Sequence, residues 1–232
     1  MTQEEKNALK RWEEHHKALA ADVPVEDFTS QTDIDRKRKK LEADPVLWIK
    51  YFFPKYARYE FAPFHINAIK RVIEHDEWYE VLSWSRELAK STVAMFICMY
   101  LALTKRKRFF VLASATIDSA KRLLAPYKIN FESNPRIRQF YGSQITLGQW
   151  TDSEFTAKCG AKFIALGAGS APRGARNEEI RPDVIYLDDY DTDEDCRNPE
   201  TLKKKWDWFE ASLYPTRSIS QPTLILWCGN II

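Results

Sequence analysis

The chain has 232 residues, enough for one α/β domain with an extra arm rather than two full domains. Its formal net charge of +2 singles out no partner by itself, and eight Trp with a 13% aromatic content exclude a disordered chain. Cys98, Cys159, Cys196 and Cys228 stand far apart with no CxxC or Cys/His spacing, which argues against a zinc site and for reduced, structural cysteines in a cytosolic setting.

The first residues are charged and lack the apolar segment of a signal peptide, and no apolar run is long enough to span a membrane. Residues 3–20 read as a charged helix, either a solvated arm or a partner-binding segment. Residues 23–33 form a polar linker containing Pro24, and 34–43 a basic helix with a solvated face. Composition changes at Asp44, which divides the chain into a helical arm and linker (1–43) and a folded domain (44–232). Residues 45–49 and 51–53 begin packed structure, and 65–73 is an amphipathic helix leading to a strand at 81–84.

That strand opens the stretch 81–92, VLSWSRELAKST, followed at once by the apolar run 93–97. Strand, tight turn, Lys-Ser/Thr, then helix is the layout of a phosphate-binding loop. There, backbone N–H groups and a helix N-terminus cradle a triphosphate, the Lys reaches its outer phosphates and the hydroxyl holds Mg²⁺. Trp84 and Ala89 stand where the pattern GxxxxGK[ST] has its two glycines, so a buried strand running into an amphipathic helix is the competing reading.

A basic turn at 105–108 reads as solvated, with contact to DNA phosphates as its alternative. Residues 109–113 are a continuous apolar run, the sign of a strand buried on both faces of a parallel sheet. Ser114-Ala115-Thr116 follow it. Residues 117–131 read as a helix interrupted or bent at Pro126, and 154–157 with 161–166 as a hairpin turning at Cys159-Gly160. A small-residue loop occupies 167–174. Another apolar strand, 184–187, empties into Asp188-Asp189, within a stretch 188–195 that holds five Asp and one Glu. Carboxylates this close repel one another unless a cation is present. A helix at 201–213 and a strand at 223–227, ending in Cys228-Gly229-Asn230, complete the chain. Strands alternating with helices predict a mostly parallel α/β sheet with helices on both faces.

The ordered set of pieces resembles the ATPase domain of the phage terminase large subunit, the DNA-packaging motor, over roughly residues 44–232. Phe61-Ala62-Pro63-Phe64-His65 is similar to that family's adenine-binding segment. Ser85-Arg86-Glu87-Leu88-Ala89-Lys90-Ser91-Thr92 is similar to its deviant phosphate loop. The stretch 166–174, with Arg181-Pro182-Asp183, resembles the Gly-rich segment before its acidic strand. Asp188-Asp189 with Asn198-Pro199-Glu200 resembles that strand and its following helix, and Cys228-Gly229-Asn230 its coupling motif. The resemblance implies a P-loop NTPase fold of the ASCE/RecA-like kind and Mg²⁺-dependent ATP hydrolysis. It further implies translocation of double-stranded DNA into a procapsid, in the host cytoplasm, by a homo-oligomeric ring on a portal protein with a small terminase subunit.

It also implies roles for single residues. Lys90 contacts the β- and γ-phosphates, Ser91 and Asp188 hold Mg²⁺, and Thr92 lies near the α-phosphate. Arg86 is a second phosphate contact or a loop cation on solvent. His65 hydrogen-bonds near the base or, the favoured reading, caps and packs its helix, with Phe64 and His65 only lining the adenine pocket. Arg173 is the arginine-finger candidate, in cis or in trans, with Arg176 competing. The family's catalytic Glu is replaced by Asp189 or Asp191, one methylene shorter, and the chain stops before any nuclease domain, so no nuclease activity is expected. A superfamily-two helicase-like ATPase and a non-hydrolysing structural subunit on the same fold are the alternatives.

Overall fold

The computed structural model describes Glu14 and residues 23–170, 180–192 and 195–229. Arg173, Arg176, Asn230 and most of the 3–20 segment lie outside the described residues. Six strands form one sheet in the order β1-β6-β5-β2-β4-β3: β1 (Trp78–Ser83), β2 (Phe109–Ser114), β3 (Glu154–Thr156), β4 (Lys162–Gly167), β5 (Val184–Asp188) and β6 (Leu224–Gly229). All pairs are parallel except β3 with β4, the expected hairpin. Gly160 turns that hairpin with a φ of 94°.

Period-two alternation sends each strand's side chains to two cores. Phe110, Leu112, Tyr186, Leu224 and Leu226 join one cluster; Phe109, Val111, Ile185, Leu187 and Ile225 join the other. The first face carries α1 (Gln31–Glu42), α2 (Pro45–Phe52), α3 (Pro63–Glu74), α4 (Lys90–Leu103), α5 (Ile117–Ser133) and α6 (Pro135–Tyr141). The second carries the segment after α7 (Pro199–Trp208), through Phe209 and Leu213. Because β2 and β5 are covered on both sides, every one of their residues is buried, as their unbroken apolar runs predict.

Caps set most helix starts. Ser30, Asp44, Thr116, Asn134 and Asn198 each accept a backbone N–H of the first turn of α1, α2, α5, α6 and α7. Helix α5 continues through Pro126, whose carbonyl accepts from Asn130 Nδ2 at 2.8 Å. The helix expected over 201–213 differs: α7 ends at Trp208, and Phe209–Leu213 is a single wide π turn. That wider turn faces both Phe209 and Leu213 onto the second core, and Pro215, which lacks an N–H, follows. Val23 and Leu41 are buried, so the described part of the N-terminal segment packs against the sheet's helical layer.

Candidate functional site

Parallel strands point their C-terminal ends one way, and the loops there meet at one edge of the sheet. Strand β1 ends at Ser83, and residues 84–89 lead directly into α4, which begins at Lys90. Glu87 and Ala89 both adopt left-handed backbone, with φ of 67° and 58°. Ala89 thus keeps the conformation of a loop glycine without being one. Non-glycine residues there are strained, and such strain gathers at functional sites. No side chain caps α4, unlike the five helices above. Its first N–H groups are therefore left to a ligand or water, and the helix dipole favours an anion there.

Lys90 is buried at this start. Its Nζ donates to the carbonyls of Trp84 at 2.7 Å and Ser85 at 3.1 Å, curling the side chain under the loop. The loop is buttressed from α3. His65 Nδ1 accepts the Ala62 N–H at 3.1 Å, which leaves Nε2 as the protonated nitrogen, 3.0 Å from the Leu88 carbonyl. Phe64 and His65 both pack edge-on against Trp84. His65 therefore caps and packs its own helix, Phe64 and His65 together brace the loop, and neither lines the cavities described next.

One strand, β6, separates β1 from β5. Asp188 ends β5 only 6% exposed. It shares a face with Tyr186, two residues back, whose hydroxyl donates to Asp188 Oδ2 at 2.8 Å. Burial raises the Asp188 pKa. Hydrogen bonds from Ser91 and Tyr186 pull it back, and Asp189 beside it pushes it up again. Ser91 on α4 and Asp188 on β5 are thus in direct contact across the sheet edge. Asp189 follows with a left-handed φ of 42° and an exposed side chain.

Two adjoining cavities open here. One, of 570 Å³, is lined by Arg86, Glu87, Ala89, Lys90, Ser91, Thr92, Ala115, Ser119, Asp188, Asp189, Asp191 and Thr192. The other, of 380 Å³, runs under α5 and is lined by Tyr56, Met95, Arg122, Leu123 and Tyr127 together with Ser91, Thr92, Ser119, Asp188 and Asp189. Of the residues 85–92 and Asp188, Asp189 and Asp191, all line one of them except Ser85, which lends its carbonyl to Lys90, and Leu88, held by His65; Trp84 lines neither.

The two acidic candidates differ. Asp189 lines both cavities beside Asp188 and Ser91, whereas Asp191 lines only the larger one. Burial raises the Asp191 pKa, while Lys205 opposes that rise and Asp195 adds to it. Lys205 is itself ion-paired to Asp195 and donates to the Tyr190 carbonyl at 2.6 Å. Asp191 therefore belongs to a small charged network at the foot of α7.

Two residues go unmarked in the sequence. Tyr186 orients Asp188, and period-two spacing on an apolar strand is the signal that could have found it. Arg122, whose Nη2 donates to Ser119 Oγ at 2.9 Å, brings a cation from α5 to the same groove; nothing in its spacing marks it. The loop that would carry Arg173 starts at this edge. Trp208 Nε1 donates to the Ser170 carbonyl at 2.8 Å and fixes its root, and Arg173 lies beyond the described residues.

A basin at the opposite edge holds the basic turn. Arg106 donates to the Ile73 carbonyl at 2.6 Å, and Lys107 is buried rather than solvated. The expectation of a wholly solvated turn fails at Lys107, because α3, β2 and the segment before β6 close over it.

No family model matches the chain, and no curated protein matches it. Among solved structures it is similar to the crystal structure of the HK97 bacteriophage large terminase, with a TM-score of 0.52 and 14% sequence identity. The likeness covers 81% of this chain and 37% of that one, so the chain spans well under half the length of that protein. At this identity the likeness concerns the fold alone: a mixed α/β fold with a six-stranded, mostly parallel sheet, of terminase-like architecture.

Proposed function

We propose that the chain is the ATPase domain of a viral packaging motor of the terminase large-subunit kind, with the phosphates of ATP in the groove between β1, α4 and β5. One observation carries the reading: Lys90, Ser91 and Asp188 converge at the C-terminal edge of a parallel sheet, where an uncapped helix starts from left-handed backbone. The donor set suits a magnesium nucleotide. A hydroxyl and a buried carboxylate in contact offer hard oxygen ligands, and the uncapped N–H groups offer anion donors. When bound, Mg²⁺ would be held by Ser91 and Asp188 and would offset the negative charge of the phosphates.

In this reading the backbone from Ala89 to Thr92 holds the phosphates. Lys90 leaves the Trp84 and Ser85 carbonyls and turns to the β- and γ-phosphates. Ser91 and Asp188 are the metal ligands. Asp189 orients the attacking water, because it lies in both cavities beside the metal ligands. Arg86, Arg122 and the finger candidate Arg173 supply further cations. Double-stranded DNA, a portal, a small terminase subunit and a ring of like subunits in the host cytoplasm are the proposed setting. The shorter acid at Asp189 favours one competing reading, a subunit that keeps the fold and binds nucleotide without turnover, since misplacing a reacting water is costly.

The test is Mg²⁺-dependent ATP hydrolysis by the chain and by Asp189→Asn and Asp191→Asn. Asp189→Asn is expected to lower turnover by about 10²–10⁴-fold with nucleotide affinity kept. Asp191→Asn is expected to keep most of the rate. The reverse pattern moves the water-orienting role to Asp191, and nucleotide binding without any turnover favours the non-hydrolysing reading.

A further inference from the structure

A cavity of 680 Å³ lies at the other end of the sheet, where the strands begin. Arg106, Lys107, Arg108, Arg181, Asp76, Asp183 and the turn from Ser218 to Pro222 line it. Four cations face two carboxylates, and one carboxylate is committed elsewhere. Asp183 accepts the backbone N–H groups of Arg108 and Phe109, both at 2.8 Å, and so ties the start of β5 to the start of β2.

Lys107 is the unusual member. It is 5% exposed, and its Nζ donates to the carbonyls of Asp76 at 2.8 Å and Pro222 at 2.7 Å. An ammonium has three donors, and these two acceptors are neutral. Among the described residues no carboxylate lies within ion-pair distance of Lys107, Arg108 or Arg181; Arg106 has only Asp76, at 3.8 Å. A buried ammonium with no carboxylate in ion-pair contact is costly, and its third donor is left for an anion. Burial accordingly lowers the Lys107 pKa, partly opposed by Asp183 and Asp76. Arg108 and Arg181 are exposed at the rim, where a bulky polyanion can reach them.

We propose that this basin, with Lys107 at its floor and Arg108 and Arg181 at its rim, is a contact site for the phosphate backbone of double-stranded DNA. The partner rests on the packaging reading above. The basin itself rests on its own charge and burial. It and the nucleotide groove occupy opposite ends of β2, β5 and β6, about 15–20 Å apart at the usual rise per residue. DNA would therefore meet a different edge of the sheet from ATP.

The experiment is binding of a fluorescent mixed-sequence duplex at several salt concentrations without nucleotide, so the result does not depend on the ATP reading. Arg108→Glu combined with Arg181→Glu is expected to weaken binding about tenfold or more. It should also reduce the slope of log K against log salt by about 2, since each phosphate contact contributes about 0.9. Lys107 sits in the fold, so Lys107→Met is paired with a melting curve, and the rim pair carries the decision. Arg36→Glu, on α1 outside the basin, should leave binding unchanged. Unchanged affinity and slope in the rim variant, or no duplex binding by the unaltered chain, overturns the proposal. Inorganic phosphate that binds the unaltered chain but not the rim variant, with duplex binding unchanged, would make this a free-phosphate site and overturn the DNA assignment.

Discussion

Ala89→Gly is a substitution that ordinary helix reasoning would score as neutral or harmful. Here it should stabilise. Ala89 precedes the first helical residue of α4 with φ 58° and ψ 29°, and no side chain caps the helix in its place. Left-handed backbone costs a residue with a Cβ about 1–2 kcal/mol. Glycine removes that cost but returns about 0.4–1 kcal/mol through the freedom of its unfolded chain. The net gain is about 0.5–1 kcal/mol, or roughly 1–4 °C in melting temperature for a chain of this size. Urea and thermal unfolding would measure it, beside Ala89→Val, whose branched side chain should lose at least about 1 kcal/mol at the same backbone angle. If Ala89→Gly lowers the melting temperature, or Ala89→Val leaves it unchanged, the loop does not have the left-handed backbone on which the phosphate-binding reading depends.

Asp188→Asn should abolish Mg²⁺-dependent nucleotide binding and yet raise the metal-free melting temperature at neutral pH. The carboxyl's pKa is raised by burial, so the folded state holds its proton more tightly than the unfolded chain; stability is lost as pH rises through the folded value, and the advantage of Asn should vanish in acid. Tyr186→Phe removes a hydrogen bond that favours the charged form, so the acid limb of Mg²⁺-dependent binding should move to higher pH. Gly167→Ala should cost about 1–3 kcal/mol. Its Cβ would stand 2.6 Å from the Ile117 backbone N, and backbone at a helix start cannot swing aside. Because that contact sets the start of α5, the same variant should weaken nucleotide binding through Ser119 and Arg122.

Much of the sheet is legible in the sequence because burial on both faces leaves an unbroken apolar run, as in residues 109–113 and 184–187. The phosphate-loop layout is legible from Lys90-Ser91-Thr92 after such a strand. The left-handed backbone at Glu87 and Ala89 is not, because the glycines that would announce it are absent and the fold imposes the angle instead. Phe64 and His65 show a similar limit. Their position before the loop strand is visible, but the packing on Trp84 and the bond to the Leu88 carbonyl depend on how α3 docks. A run such as Lys105–Arg106–Lys107–Arg108 reads as solvated, and only tertiary closure by Asp76 and Pro222 buries its third member. Arg122 and Tyr186 enter the site through a helix face and a strand face whose neighbours are distant in sequence. Arg173 lies outside the described residues, and its role stays a proposal.

The most direct measurement of the central claim is Mg²⁺-dependent ATP hydrolysis by the unaltered chain and by Lys90→Ala, with unfolding followed in parallel. Lys90→Ala also removes hydrogen bonds to the Trp84 and Ser85 carbonyls, so its melting temperature should fall by a few degrees, about 1–2 kcal/mol, while the chain stays folded. Turnover below that temperature should fall by at least about 10²-fold, as expected when a charge aimed at the transferring phosphate is lost. Wild-type turnover in a folded Lys90→Ala protein would contradict the account.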